Sequence, residues 1–393
     1  MTVVHAPPHD DLVEKAADLV PLLRKHAAWG EENRRLHDET IEAMTAAGIF
    51  KMRVPTRYGG YESDSRTIVE VATQLGRGDG AAAWTASVYW IPSWMVGMFP
   101  DETQDEVFGT PDVRVCGTLS PTGMAAPADG GVVVNGRWGF ISGAWHSQWQ
   151  EIIAMSPTPD GGMQPVLALV PMSDLQIVDD WHTSGVRGSG SVTTVATDVF
   201  VPQHRVLPLG ALMMQQSASV ANADSAMYKV PLVGAANVAS AGVMVGMAKG
   251  AMEAFMERLP DRKITYTMYD SQREAPVTHL QVGEATLKID AAEFHALRVA
   301  RRVDERTATG EPWSMLDRAS SRADVGAACR LSKEAVDLLN QASGGSSIYS
   351  DVPIQRIARD IHVISTHGLI YPATNTELLG RVLCGLEPNT LFI

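Results

Sequence analysis

Cysteine is nearly absent: Cys116, Cys329 and Cys384 are the three thiols in 393 residues, and they lie far apart. No CxxC pair exists to hold zinc and no disulfide framework can be drawn, which points to a reducing cytoplasm. Positive charge is also short. Lys and Arg total 32 against 45 Asp and Glu, a formal charge of -13, and no basic run exceeds two residues. Nucleic acid and anionic membrane both demand a basic face, so neither is expected as a partner. The opening MTVVHAPPHDD has neither the basic start nor the apolar core of a signal peptide. Missing too are GxGxxG after a strand, the P-loop, HExxH and GxSxG. Nicotinamide dehydrogenases, kinases and common hydrolases lose most of their support with them, and no metal site is expected.

What is present is ordinary globular material, 45% hydrophobic and 20% charged, long enough for two or three domains. Residues 1–110 read as helical. Leu12, Ala16, Leu19, Leu22, Leu23 and His26 recur at steps of three and four, a second helix runs from about His37 through Met44, and Gly48 follows as its stop. Thr67 and Glu70 have capping-box spacing before the next helix. Trp84, Tyr89, Trp90 and Trp94 then crowd one stretch, read mainly as helix core, with Trp84 kept as a candidate pocket residue. Residues 111–215 change texture to short β-rich runs, with Asn135-Gly136 placed as a hairpin turn, and form a small barrel or sandwich. Residues 216–393 return to helix: the segment from 230 to 248 carries no charge, and Val282–Arg302, Ala319–Leu339 and Arg356–Cys384 follow. The uncharged segment is close to the length of a membrane span, but its Gly, Ala, Ser and Asn content suits a buried bundle helix. The fold class is α+β: helices, a β-domain, then a four-helix bundle.

Five ordered motifs carry a family resemblance. They are Val54-Pro55-Thr56-Arg57-Tyr58-Gly59-Gly60; Gly136-Arg137-Trp138-Gly139-Phe140-Ile141-Ser142-Gly143; Gly185-Val186-Arg187-Gly188-Ser189; Val199-Phe200-Val201-Pro202; and Gln341-Ala342-Ser343-Gly344-Gly345 followed by Arg359-Asp360. In this order they resemble the acyl-CoA dehydrogenase superfamily over nearly the whole chain. One departure decides the branch. Where acyl-CoA dehydrogenases carry a catalytic glutamate, this chain reads Ile370-Tyr371-Pro372-Ala373-Thr374-Asn375, and proline has no group to abstract a proton. The stretch from Ala226 to Met252 offers no acidic residue either, and Glu377 stands one turn too late.

The chain is more similar to the reduced-flavin-dependent monooxygenases, the oxygenase halves of two-component systems. Arg359-Asp360-Ile361-His362-Val363-Ile364-Ser365-Thr366-His367 resembles their Arg-Asp-x-His-x-x-x-x-His pattern. The resemblance implies reduced FMN or FAD supplied by a separate reductase, O2, and an aromatic or polyketide-like substrate; N-oxygenation of an amine or amino sugar is the alternative. It implies His367 as the base and Ser142 as the hydroxyl that steadies the oxygen-charged flavin. Ser120, Phe140, Gly143, Arg262, Gly344 and Gly345 are implied as flavin contacts, and His146 as a pocket residue. His362 is read as structural, on the premise that it and His367 share one helix and so point apart. A homotetramer is implied by the fold.

Overall fold

The structure, a computed structural model, describes residues 8–393. The signal-peptide reading falls largely on residues 1–7, outside the described residues. Six helices come first: α1 (His9–Asp18), α2 (Val20–Asn33), α3 (Asp38–Ala46), α4 (Ser65–Gly78), α5 (Gly80–Val96) and α6 (Asp101–Phe108). The apolar stripe of the first 26 residues is divided at Leu19, between α1 and α2. Gly48 does end the second unit, in a left-handed conformation. The cap of α4 is Asp64, which accepts from Thr67 N–H at 2.7 Å, so the capping box placed on Thr67 and Glu70 lies three residues too late.

Eight strands follow: β1 (Val115–Gly117), β2 (Gly123–Ala128), β3 (Gly131–Ile141), β4 (Trp149–Pro157), β5 (Met163–Pro171), β6 (Gln176–Val178), β7 (Val192–Pro202) and β8 (Val206–Pro208). They pair in the order β6-β7-β3-β2-β4-β5-β8, with β1 parallel to β4. Asn135-Gly136 is not a hairpin. Both residues lie inside β3, paired to β2 on one side, and the chain turns at Gly130 instead. Between Trp138 and Ile141 the β3–β7 register shifts at a bulge, which swings the end of β3 out of the regular ladder.

After the short α7 (Leu209–Met213) come α8 (Leu232–Arg258), α9 (Pro276–Thr309), α10 (Met315–Ala342), α11 (Pro353–Ile364) and α12 (Pro372–Leu383). The uncharged segment is the core of α8, and 94% of its most apolar window is buried inside the protein, as a bundle helix requires. Small residues set its distance from α4. A Cβ at Gly242 would fall 2.1 Å from Val69 O, and one at Gly246 2.2 Å from Thr73 O. The two backbones therefore touch, which only hydrogen side chains allow. The fourth bundle helix, read as continuous from Arg356 to Cys384, is two helices with a loop from Ser365 to Tyr371. Phe50, Tyr89, Trp90 and Trp94 fill the seam between α5 and its neighbours, each at most 2% exposed.

Candidate active site

Three parts of the chain meet around Ser142 and Trp84. Ser142 follows the bulge of β3, where Phe140 is forced to φ +63° and left 74% exposed. An exposed aromatic in a left-handed conformation carries a conformational cost that a bare surface loop gives no reason to keep. Gly143 comes next at φ +73°, and a Cβ there would lie 2.2 Å from Tyr89 Oη. Tyr89 donates to Gly143 O at 2.7 Å and so ties this turn to α5.

Ser142 itself is buried and its hydrogen bonds have a direction. Ser189 Oγ donates to Val186 O at 2.7 Å. Its single proton is then spent, so Ser191 Oγ, 2.7 Å away, donates to Ser189, and Ser142 Oγ, at 2.7 Å, donates to Ser191. Trp84 Nε1–H donates into Ser142 Oγ at 3.2 Å. The relay leaves Ser142 Oγ with one open lone pair: it is an acceptor waiting for an N–H. The reduced flavin ring carries such a group on its central ring, at a nitrogen that bears no proton in the oxidised ring. A phenyl face at Phe140, in edge contact with Trp181 at 5.8 Å, flanks the same turn. These residues fit a flavin ring.

The third part is the loop between α11 and α12. His367 lies on it rather than on a helix, which corrects the premise used to separate it from His362. Its ring meets Trp84 edge-on, with centroids 5.2 Å apart. Nδ1 receives only a 3.4 Å contact from Leu369 N–H, so no strong partner fixes the ring. His367 is exposed on this loop, yet the protein packed around it desolvates the ring enough to lower its pKa below the usual 6.5. Pro372 opens α12, and Glu377 faces away, held by Asn389 Nδ2 at 3.1 Å. Among the described residues, Pro372 and not a carboxylate occupies the sequence position where the resemblance puts the catalytic glutamate.

The late motifs serve the relay. Asp360 accepts from Val186 N–H at 2.5 Å, and Arg359 donates to Ser184 O at 2.9 Å, clamping α11 to the turn that ends the serine chain. His146 departs from the expected role. Its ring is buried, hydrogen-bonded to Leu36 O at 3.1 Å, and pushed down to about 4 by that burial. Its Nε2 pins the turn after β3 to the α2–α3 connection, and its Nδ1 faces Asp38 at 3.9 Å. Ser120 is exposed on the loop after β1. Trp84 is half-buried at the site while Tyr89, Trp90 and Trp94 are core. Ser189 and Ser191 were missed as functional residues by sequence reasoning; only the β3–β7 pairing places them beside Ser142.

Arg262, Gly344 and Gly345 form a separate group at the ends of α8 and α10. A Cβ at Gly344 would stand 3.0 Å from Arg262 Nη2, and Arg262 donates to Ser346 Oγ at 2.9 Å. Arg262 Nε and Arg258 Nη1 are buried without hydrogen-bond partners among the described residues. Two guanidiniums over a glycine turn are suited to an anion.

Family models place this arrangement. Residues 9–111 match the acyl-CoA dehydrogenase N-terminal domain and residues 238–372 the acyl-CoA dehydrogenase C-terminal domain. The FADH(2)-dependent resorcinol hydroxylase oxygenase component of Rhizobium sp. (strain MTP-10005) is 32% identical over 402 residues, covering 98% of each chain. The chain belongs to the flavin-dependent monooxygenases of the acyl-CoA dehydrogenase superfamily. Another such monooxygenase, the oxygenase subunit HsaA of Mycobacterium tuberculosis, is 30% identical over 96% of each chain. Its crystal structure superposes with a TM-score of 0.90 over 98% of this chain and all of that one. XiaF from Streptomyces sp., solved with FADH2 and glycerol, gives 0.91 at 30% identity over 97% of each. As a flavin-dependent monooxygenase the chain is an oxidoreductase, and the one helix among the described residues that is long and apolar enough to cross a membrane is buried core.

Proposed function

We propose that this protein is the oxygenase component of a two-component system, hydroxylating an aromatic substrate with O2 and a reduced flavin from a separate reductase. The observation that carries the reading is the directed serine relay, which offers Ser142 Oγ as an acceptor beside Trp84 and His367. When bound, reduced flavin would supply the two electrons that activate O2, one atom of which goes to the ring and the other to water. Ser142 and Phe140 orient that cofactor, and Gly143 keeps the turn close to α5. Trp84, half-buried, covers one side of Ser142 Oγ and limits water at the reacting face, where water diverts oxygen to peroxide.

His367 handles the substrate proton. A phenol gives up its O–H to the ring nitrogen and becomes the electron-rich phenolate that electrophilic oxygen transfer requires. The lowered pKa keeps His367 neutral, and so able to accept, at pH 7. Arg262, with Arg258, Gly344 and Gly345, supplies the phosphate cradle, and Ser120 a further flavin contact. The names of the Rhizobium relative and of the XiaF complex support FAD over FMN. Three unpaired cysteines fit a reducing cytoplasm, and an exposed apolar stripe on α9 supports a homotetramer.

The deciding experiment follows product and hydrogen peroxide from reduced FAD, O2 and a panel of phenols. His367→Ala is expected to lower the product-forming rate by roughly 10²–10⁴-fold, the range of a lost general base. The acid limb of the pH–rate profile, which lies below pH 6.5 in the wild type, disappears with it. Full product yield from the variant would remove His367 from this role.

A further inference from the structure

The His367 ring has no strong partner of its own, so its aim depends on the loop that carries it. Three successive carbonyls on that loop each have a donor. His367 O accepts from Ile370 N–H at 2.9 Å and from Tyr371 N–H at 2.8 Å. Gly368 O accepts from Arg322 Nη2 at 3.4 Å, and Leu369 O from Asn375 Nδ2 at 2.9 Å. Arg322 Nε donates to Asn375 Oδ1 at 2.9 Å, so the two side chains grip the loop as one unit. Both are buried, Arg322 on α10 and Asn375 in the first turn of α12. Gly326, one turn after Arg322, gives α12 its seat: a Cβ there would lie 3.1 Å from Asn375 Cβ and 3.3 Å from Pro372 Cα.

The grip reaches the ring through one peptide. Gly368 C=O and Leu369 N–H belong to the same planar trans unit and point opposite ways. Arg322 holds the oxygen, and the N–H faces His367 Nδ1 at 3.4 Å. The same ring meets Trp84 edge-on. Turning this peptide therefore turns the ring against Trp84. The device is also an expensive one. No Asp or Glu among the described residues pairs with Arg322, and burial alone acts on its charge, lowering its pKa. Apolar contacts would join two helices at less cost than a buried charge without a counter-ion. A planar guanidinium fork, in return, fixes the oxygens it meets in direction as well as distance. Its third contact, from Nη1, is Phe392 O.

We propose that Arg322 and Asn375 are positioning residues for the base: they set the Gly368–Leu369 peptide, and through it the direction in which the His367 ring meets the substrate. This rests on the monooxygenase reading above, in which His367 takes the substrate proton.

The test is a double-mutant cycle run with reduced FAD and O2 on resorcinol and 4-hydroxyphenylacetate. Arg322→Lys keeps the charge and loses the fork. It is expected to lower the product-forming kcat by roughly 10–10²-fold, the cost of displacing a reacting group by about 1 Å, while KM changes by less than about twofold. In a His367→Ala background the same substitution is expected to change kcat by less than about twofold, because a residue that acts only through His367 has nothing left to aim. Asn375→Asp gives Arg322 a carboxylate and removes the N–H from Leu369 O. That variant is expected to melt no lower than wild type and still to lose about tenfold in kcat. Amide exchange across residues 365–371, followed by mass spectrometry without substrate, is expected to quicken about fivefold or more in both variants, the worth of one lost hydrogen bond. Equal falls in the two backgrounds, or full kcat in Asn375→Asp, would overturn the positioning role, and Asn375→Asp decides alone if Arg322→Lys does not fold. Loop amides that keep wild-type exchange in both variants overturn the grip whatever the substrate is. A wild type that hydroxylates neither phenol counts against the monooxygenase reading and not against the grip, which amide exchange judges by itself.

Discussion

At the scale of single residues, the site depends on where protons point. Val186 O fixes the proton of Ser189, which fixes that of Ser191, which fixes that of Ser142. A serine hydroxyl is free to donate or accept in isolation; here a carbonyl three bonds away decides. Ser142→Ala removes the acceptor and strands Trp84 Nε1–H and Ser191 Oγ. Losing one hydrogen bond of this kind costs about 1–3 kcal/mol. The expected result is about a tenfold fall in product per flavin oxidised, with hydrogen peroxide rising in compensation, measured by chromatography and a peroxidase-linked assay. An unchanged ratio would show that the relay ends at Ser142 for structural reasons only.

Between elements, two buried titratable groups act as joints. Asp360 joins α11 to the Val186 turn. Burial first and the neighbouring Asp79 second push its pKa up to about 7, against the pull of the Val186 N–H, Arg356 and Arg359. The unfolded chain releases this proton near pH 4 and the folded chain near 7, so the stability it contributes is present below about pH 4 and lost as pH rises to 7. Asp360→Asn keeps an oxygen for Val186 N–H and has no proton to lose. Its melting temperature relative to wild type is expected to improve from about pH 4 to pH 7 and to level off above that. His146 has the opposite sign: neutral in the fold down to about pH 4, it contributes stability above 6.5 that is lost as pH falls. The element scale is also where sequence reading reached its limit. The order of helices and strands, and the arrival of Ser142 and His367 at one place, were legible because motifs carry order. The β3–β7 register was not, because Ser142 and Ser191 are 49 residues apart and meet only through pairing. Asn135-Gly136 has ideal turn chemistry, yet Gly123 and Ala196 pair with Gly136 from either side and keep it in the strand. The break after Ile364 was hidden because no Pro or Gly stands there; Gly368 and Pro372 come later.

For the whole molecule, the open question of assembly is written on α9. Val277, Leu280, Leu287 and Phe294 recur at helical spacing and are 49–74% exposed. Such a stripe on a single chain marks a surface meant to be covered. The double variant Leu280→Glu, Leu287→Glu is expected to shift the sedimentation profile towards smaller species, while far-ultraviolet dichroism keeps its helical signal. A profile identical to wild type would exclude this face from the contact. The backbone seam between α4 and α8 has a temporal consequence. More than 150 residues separate the end of α4 from the start of α8, which at 5–20 residues per second is roughly 10–30 s of synthesis. Throughout that interval Val69, Ala72 and Thr73 emerge with nothing against them, and no local partner has the glycines to approach so closely. The newborn chain therefore carries this face of α4 uncovered until α8 has been made.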